Sequence, residues 1–168
     1  MNYRPGASPN LIAINETYND HDCSHSHRFA QISQSQLWEA LKIKARKPIG
    51  FIGAFKECTG ISEYENGLVR RAVTTTGTVT TEDVTFVEPT WVHFKSRGDG
   101  KEVFNVISLS TDEQGRLLLT YSFNRTEPGV QPGSEEEKEL SRNWVKIAGG
   151  AVEQSIKKVE ELVKEGKL

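Results

Sequence analysis

Between Glu57 and Arg125 apolar and polar residues alternate. From Ser134 to Lys164 the apolar positions change to helical spacing: Leu140, Trp144, Ile147, Ala148, Ala151, Val152, Ile156, Val159, Leu162 and Val163. A period of two buries one face of a strand, and a period near 3.6 buries one stripe of a helix. Turn chemistry at Glu65-Asn66-Gly67, Thr76-Gly77, Glu88-Pro89, Gly98-Asp99-Gly100 and Asp112-Glu113-Gln114-Gly115 divides the alternating region. The strands predicted between these turns lie near 57–63, 68–76, 78–88, 90–96, 102–110 and 116–126.

Upstream, residues 1–10 read as an extended arm, Leu11–Asn15 as a first strand and 16–32 as a long polar loop. Ser33 and Gln36 have the spacing of a capping box. They open a helix from Gln34 to Arg46 that buries Leu37, Trp38, Leu41 and Ala45. Pro48 ends it and is positioned to start a short second helix through Phe55. Glu127–Gly133 carries two prolines and reads as a linker, and Ser134 with Glu137 repeats the capping box before the long helix over 134–165. The expected class is α+β: a curved, seven-stranded antiparallel sheet wrapped around one long C-terminal helix, with two short helices after the first strand. Such a fold encloses space between sheet and helix.

At 168 residues the chain fits one domain, 1–168, that buries about 70% of its unfolded surface. Lysine and arginine number 21 against 23 acidic residues, so no nucleic-acid footprint is present. The densest basic cluster, Lys42, Lys44, Arg46 and Lys47, reads as a solvated helix face. No apolar run is long enough to enter and span a bilayer, and residues 1–10 lack a signal-peptide core. With Cys23 and Cys58 as the two cysteines, a reducing, cytoplasmic setting is expected.

Hairpin register then assigns side chains to faces. If Thr76-Gly77 is a two-residue turn, Val69 pairs with Val84 and Arg71 with Glu82. Val69, Val73, Val84, Phe86, Arg71 and Glu82 would then point inward, and Arg70 and Asp83 outward. Pairing Ser110 with Arg116 sets Ile107 against Leu119, Asn105 against Tyr121 and Val103 against Phe123, all facing inward. Arg71–Glu82 reads either as a self-satisfied buried ion pair or as a cavity border whose guanidinium holds a ligand oxygen. Asn105 and Tyr121 read either as a mutual hydrogen bond or as polar anchors in an apolar wall. His93 depends on the Glu88-Pro89 turn. One register points Trp91, His93 and Lys95 inward, making His93 an acid–base candidate beside Glu82. The other points Val92 and Phe94 inward and leaves His93 at the rim.

His21, Cys23, His25 and His27 have metal-ligand residue types, but no second ligand pair follows, so no metal is expected. Cys58 reads as a packing residue. Neither a phosphate-binding glycine loop nor a nucleophile elbow occurs, so no nucleotide cofactor is expected.

The blocks Ser33-Gln34-Ser35-Gln36-Leu37-Trp38, Leu41–Pro48, Gly67-Leu68-Val69-Arg70-Arg71 and Pro128-Gly129 through Pro132-Gly133-Ser134 resemble the AtaL-like branch of a larger superfamily. That superfamily, SRPBCC, includes START lipid-transfer domains, the birch-pollen allergen group and polyketide cyclases. The resemblance implies the helix-grip fold and a hydrophobic small-molecule ligand or substrate, and it carries over no catalytic motif. The expected function is a cofactor-free cyclase, isomerase or dehydratase in natural-product metabolism. Its catalytic candidates are Arg71, Tyr121, Asn105, Glu82 and His93, and its cavity wall is Val69, Val84, Phe86, Ile107, Leu119, Phe123, Trp144 and Ala148. The alternative is a carrier that shields the same kind of molecule unchanged. The sequence leaves the oligomeric state open.

Overall fold

The computed structural model describes residues 11–19, 32–109, 117–127 and 129–168, for 11–19 and 126 the backbone alone. The arm at 1–10, the metal-ligand-like cluster at 21–27 and the Ser110–Arg116 turn lie outside the described residues. The elements in chain order are β1 (Leu11–Asn19), α1 (Gln34–Arg46), β2 (Phe55–Tyr64), β3 (Gly67–Thr74), β4 (Val79–Val87), β5 (Trp91–Ser96), β6 (Glu102–Leu109), β7 (Leu117–Thr126) and α2 (Glu135–Lys164). The strands form one antiparallel sheet in the order β1-β7-β6-β5-β4-β3-β2, a meander from β2 to β7 closed on its far side by β1. Residues 16–19, expected in a loop, extend β1 instead.

The α1 capping box forms as read from the sequence. Ser33 Oγ accepts from the Gln36 amide, and Gln36 Oε1 accepts from the Ser33 amide. At α2, Ser134 Oγ accepts from the Glu137 amide, but the Glu137 carboxylate reaches one residue further back, to the Gly133 amide. Both placements satisfy amides that a helix start leaves unpaired.

The second short helix does not form. After Pro48 the chain makes a single turn in which Phe51 and Ile52 both donate to the Pro48 carbonyl, with Gly50 at φ 90°. From there α2 supplies the partners. Ser155 Oγ donates to the Phe51 carbonyl at 3.1 Å, and Gln154 Oε1 accepts from the Gly53 amide at 2.8 Å. Backbone groups that a helix would have paired internally are thus paired to α2, and this pins residues 51–53 beside it.

Helix α2 lies against β1 and β7, burying Ala148, Val152, Ser155, Ile156, Val159 and Leu162. Trp144 and Ile147 were expected in the same buried stripe. Trp144 is only partly buried, and Ile147 is 54% exposed. Helix α1 covers the other part of the sheet. Leu37, Trp38 and Leu41 join Val84, Val92, Ile107 and Leu119 in a continuous core. Burying a side chain of this size is worth about 1.5–3 kcal/mol, so this cluster is what holds α1 to the sheet. Among the described residues no helix is long and apolar enough to cross a membrane.

Candidate functional site

The registers decide which side chains meet. In β6–β7, Val103, Asn105 and Ile107 oppose Phe123, Tyr121 and Leu119, the pairing expected from the sequence. In β3–β4 the pairing is one residue away from expectation: Arg70 opposes Glu82, Arg71 opposes Thr81, Leu68 opposes Val84 and Val69 opposes Asp83. The turn is a three-residue loop, not two. Thr74 pairs with Thr78, the Gly77 amide donates to the Thr74 carbonyl, and Thr74 Oγ1 accepts from the Thr78 amide. Since side-chain direction alternates, one residue exchanges the faces. Arg71 is exposed on the outer face and Val69 faces the same way, so neither is a cavity residue.

His93 is corrected in the same manner. Val87 pairs with Trp91 across a three-residue turn, so Val92 and Phe94 point inward and His93 outward. There its ring stacks on Phe104 at 4.1 Å, with Nε2 3.8 Å from a Glu102 oxygen. Burial lowers its pKa, partly opposed by Glu102. It has no access to the inner face and cannot act as an acid or base there.

On the inner face a cavity of about 160 Å³ lies between sheet, α1, the turn after Pro48 and α2. Its walls are mostly apolar: Ile52, Ala54, Phe55, Phe94, Val103, Phe123, Trp144, Ile147 and Ala151. Four polar side chains also line it, Lys44, Arg70, Glu82 and Tyr121. Of the wall expected from sequence, Phe123 and Trp144 border it. Val84, Ile107 and Leu119 are sealed beneath α1, Phe86 packs edge-on against Trp38, and Ala148 is buried under Phe123, Leu140 and Trp144.

Arg70 is 3% exposed. Its Nε donates to Glu82 Oε2 at 2.7 Å, and one terminal nitrogen donates to the Ala45 carbonyl at 2.8 Å and the Lys44 carbonyl at 3.3 Å. The guanidinium thus sits at the C-terminal end of α1, where carbonyls are unpaired and a cation is favoured. It ties the sheet to that helix.

Lys44 is the residue that sequence reading missed. It is 2% exposed, and its Nζ donates to Asn105 Oδ1 at 2.5 Å and lies 3.8 Å from the centre of the Tyr121 ring. Burial pushes its pKa well down, the Arg70 cation pushes the same way, and Glu82 opposes them. The signal was present in the sequence. Leu37, Leu41 and Lys44 are spaced i, i+4, i+7 on one helical stripe, whereas Lys42 and Arg46 project toward solvent and pair with Glu39 and Glu63.

Asn105 and Tyr121 are fully buried neighbours. Lys44 takes the Asn105 carbonyl oxygen, and Asn105 Nδ2 and Tyr121 Oη are left without well-formed hydrogen bonds. Burial raises the Tyr121 pKa, and the Ser155 hydroxyl beside it offsets part of that rise. The phenol is therefore a proton donor at neutral pH. Chemically the cavity offers an amine and a phenol against apolar walls, with the Asn105 amide on the neighbouring strand and an arginine–carboxylate pair at one side. Among the described residues no group of His, Cys, Asp or Glu side chains could hold a metal ion.

An antiparallel sheet, a long C-terminal helix and an internal cavity between them define a fold of the SRPBCC, polyketide-cyclase type. The family model described as acetylaranotin biosynthesis cluster protein L (AtaL) matches residues 12–166, and the chain belongs to that family. Among solved structures, 163 chains match it. One is the crystal structure of the di-domain ARO/CYC StfQ from the steffimycin biosynthetic pathway, with a TM-score of 0.66 over 94% of this chain. Identity to it is 10%, a likeness of fold, and this chain spans about half (52%) of that one. No curated protein sequence matches this chain.

Proposed function

We propose that this protein is a polyketide-cyclase-type enzyme that takes an apolar, carbonyl-bearing small molecule into the cavity and acts on it without a cofactor. The observation that carries this reading is the buried Tyr121 Oη, without a well-formed hydrogen bond, in the wall of an apolar cavity that Lys44 also lines, with the unpaired Asn105 Nδ2 on the neighbouring strand. A buried polar atom left unpaired costs about 1–3 kcal/mol, a cost that a ligand oxygen at this position removes. A phenol and an amine lining one cavity would stabilise the charge that grows on a ligand oxygen there as a neighbouring carbon loses a proton. Membership of a family described by a biosynthetic cluster and the fold of an ARO/CYC protein support the substrate class.

A cavity of about 160 Å³ is close to the size that holds a single benzene ring. The site therefore accommodates one ring or the end of a longer molecule, with the remainder leaving past Ile147. The carrier reading rests on the self-satisfied Arg70–Glu82 pair, and the unpaired phenol and amide weigh against it.

The test is turnover of a linear poly-β-ketone released by a minimal polyketide synthase, with ring pattern read by mass spectrometry and NMR. The expected result is a changed product distribution. Tyr121→Phe, which keeps the aromatic wall, should lower that effect about ten- to a hundredfold without loss of fold. An unchanged product distribution, together with tight reversible binding of the ketone, would assign the protein to the carriers.

A further inference from the structure

Resting on the reading of the cavity as the ligand site, we propose that Lys44 is a nucleophile that condenses with an aldehyde or ketone carbon of the bound molecule to form an imine. Three features of the geometry carry this. Lys44 lines the cavity, and its nitrogen lies 3.8 Å from the ring centre of Tyr121, which lines it too. Among the described residues its nitrogen has one hydrogen-bond partner, Asn105 Oδ1, and no carboxylate pairs with it. It also faces two aromatic rings, Tyr121 at 3.8 Å and Phe94 at 5.6 Å.

An ammonium group has three protons to place and a strong hydration demand, whereas a neutral amine needs few acceptors and keeps a lone pair for attack. Burial and the nearby Arg70 cation both disfavour the ammonium and outweigh the opposing Glu82 carboxylate, the arrangement that activates an amine as a nucleophile. The aromatic faces favour a cation, but by less than the removal of an ammonium from water costs.

The step balances without an oxidant or reductant. The nitrogen lone pair attacks the carbonyl carbon, the C=O π pair moves to oxygen, and one N–H proton follows it to give a carbinolamine. The C–O bond then breaks, and the hydroxyl leaves with the second N–H proton as one water, forming C=N. The apolar walls contributed by Phe94, Val103 and Phe123 limit the water available to reverse the reaction. Protonated, the imine draws electrons from the adjacent carbon and favours carbon–carbon bond formation there.

The probe is benzaldehyde, chosen to fit the cavity and added to the full chain at neutral pH with sodium cyanoborohydride. Intact mass and peptide mapping read the adduct, and reversible binding is read in parallel with toluene, which has the same ring and no carbonyl. The expected result is one benzyl group on Lys44, forming about tenfold faster than on any other lysine. The mark should be lost in Lys44→Met, and also in Ala151→Phe, which fills the cavity while leaving the lysine in place. Toluene binding that Ala151→Phe abolishes, with Lys44 reduced no faster than surface lysines, overturns the imine and leaves the cavity reading standing. Failure of both probes to bind overturns both.

Discussion

Lys44 and Arg70 show how much rides on single side chains, and their predicted behaviour differs. Burial holds the folded-state pKa of Lys44 below its ordinary 10.5, so between those two values the unfolded chain binds more protons than the folded one. Stability therefore rises with pH through that window. Lys44→Met removes this slope. The variant's stability relative to the parent should be most favourable at the low-pH end of that window and fall steadily toward its upper end, as read by urea unfolding at stepped pH. Arg70→Met strands the buried Glu82 carboxylate and exposes the end of α1, with an expected loss of about 3–5 kcal/mol. Adding Glu82→Gln should return part of that loss, because the uncompensated charge is gone. No return would mean that the bonds to the Lys44 and Ala45 carbonyls carry the effect.

At the scale of elements, the close approach at Gly67 sets the β2–β3 hairpin. A Cβ there would lie 2.1 Å from the Val84 carbonyl oxygen and 2.6 Å from the Tyr64 ring, which crosses the glycine to donate its hydroxyl to that same oxygen. Gly67→Ala should cost more than about 2 kcal/mol by thermal or urea unfolding. Gly150 is the opposite case: it is exposed in mid-helix, and an added methyl would meet no atom within 4 Å. Gly150→Ala should stabilise by about 0.5–1 kcal/mol, measured the same way. The contrast between hairpins explains what the sequence made legible. In β6–β7 the register that follows from pairing Ser110 with Arg116 is the observed one, and with the alternation of Leu119, Tyr121 and Phe123 it placed Asn105 and Tyr121 on the inner face. In β3, Arg70 and Arg71 are adjacent, with apolar residues on both sides, so alternation cannot choose between them. The choice lay in the Thr74–Thr78 loop, where hydroxyls compete with the strand ladder for the same amides and hide the turn length. Lys44 was legible from helical spacing, though its charge suggested solvent.

For the whole molecule, the sheet order has a consequence for how the chamber comes into being. Strands β2 to β7 meet neighbours adjacent in the chain, a pattern that folds readily because each pairing closes a short loop. Strand β1 is different: residue 11 meets residue 126, and α2 lies against the same strand. On the ribosome, β1 emerges long before either partner, with both of its hydrogen-bonding edges open, and it must wait while the rest of the meander is synthesised. Of the seven strands of this sheet, the earliest in the chain is thus the last to be seated. Tyr121, Phe123, Trp144 and Ala151 all come from the two late elements, so nascent chains that stop before α2 have Lys44 but no enclosure around it. Newly made protein should acquire its cavity in one late docking event, and not by gradual assembly.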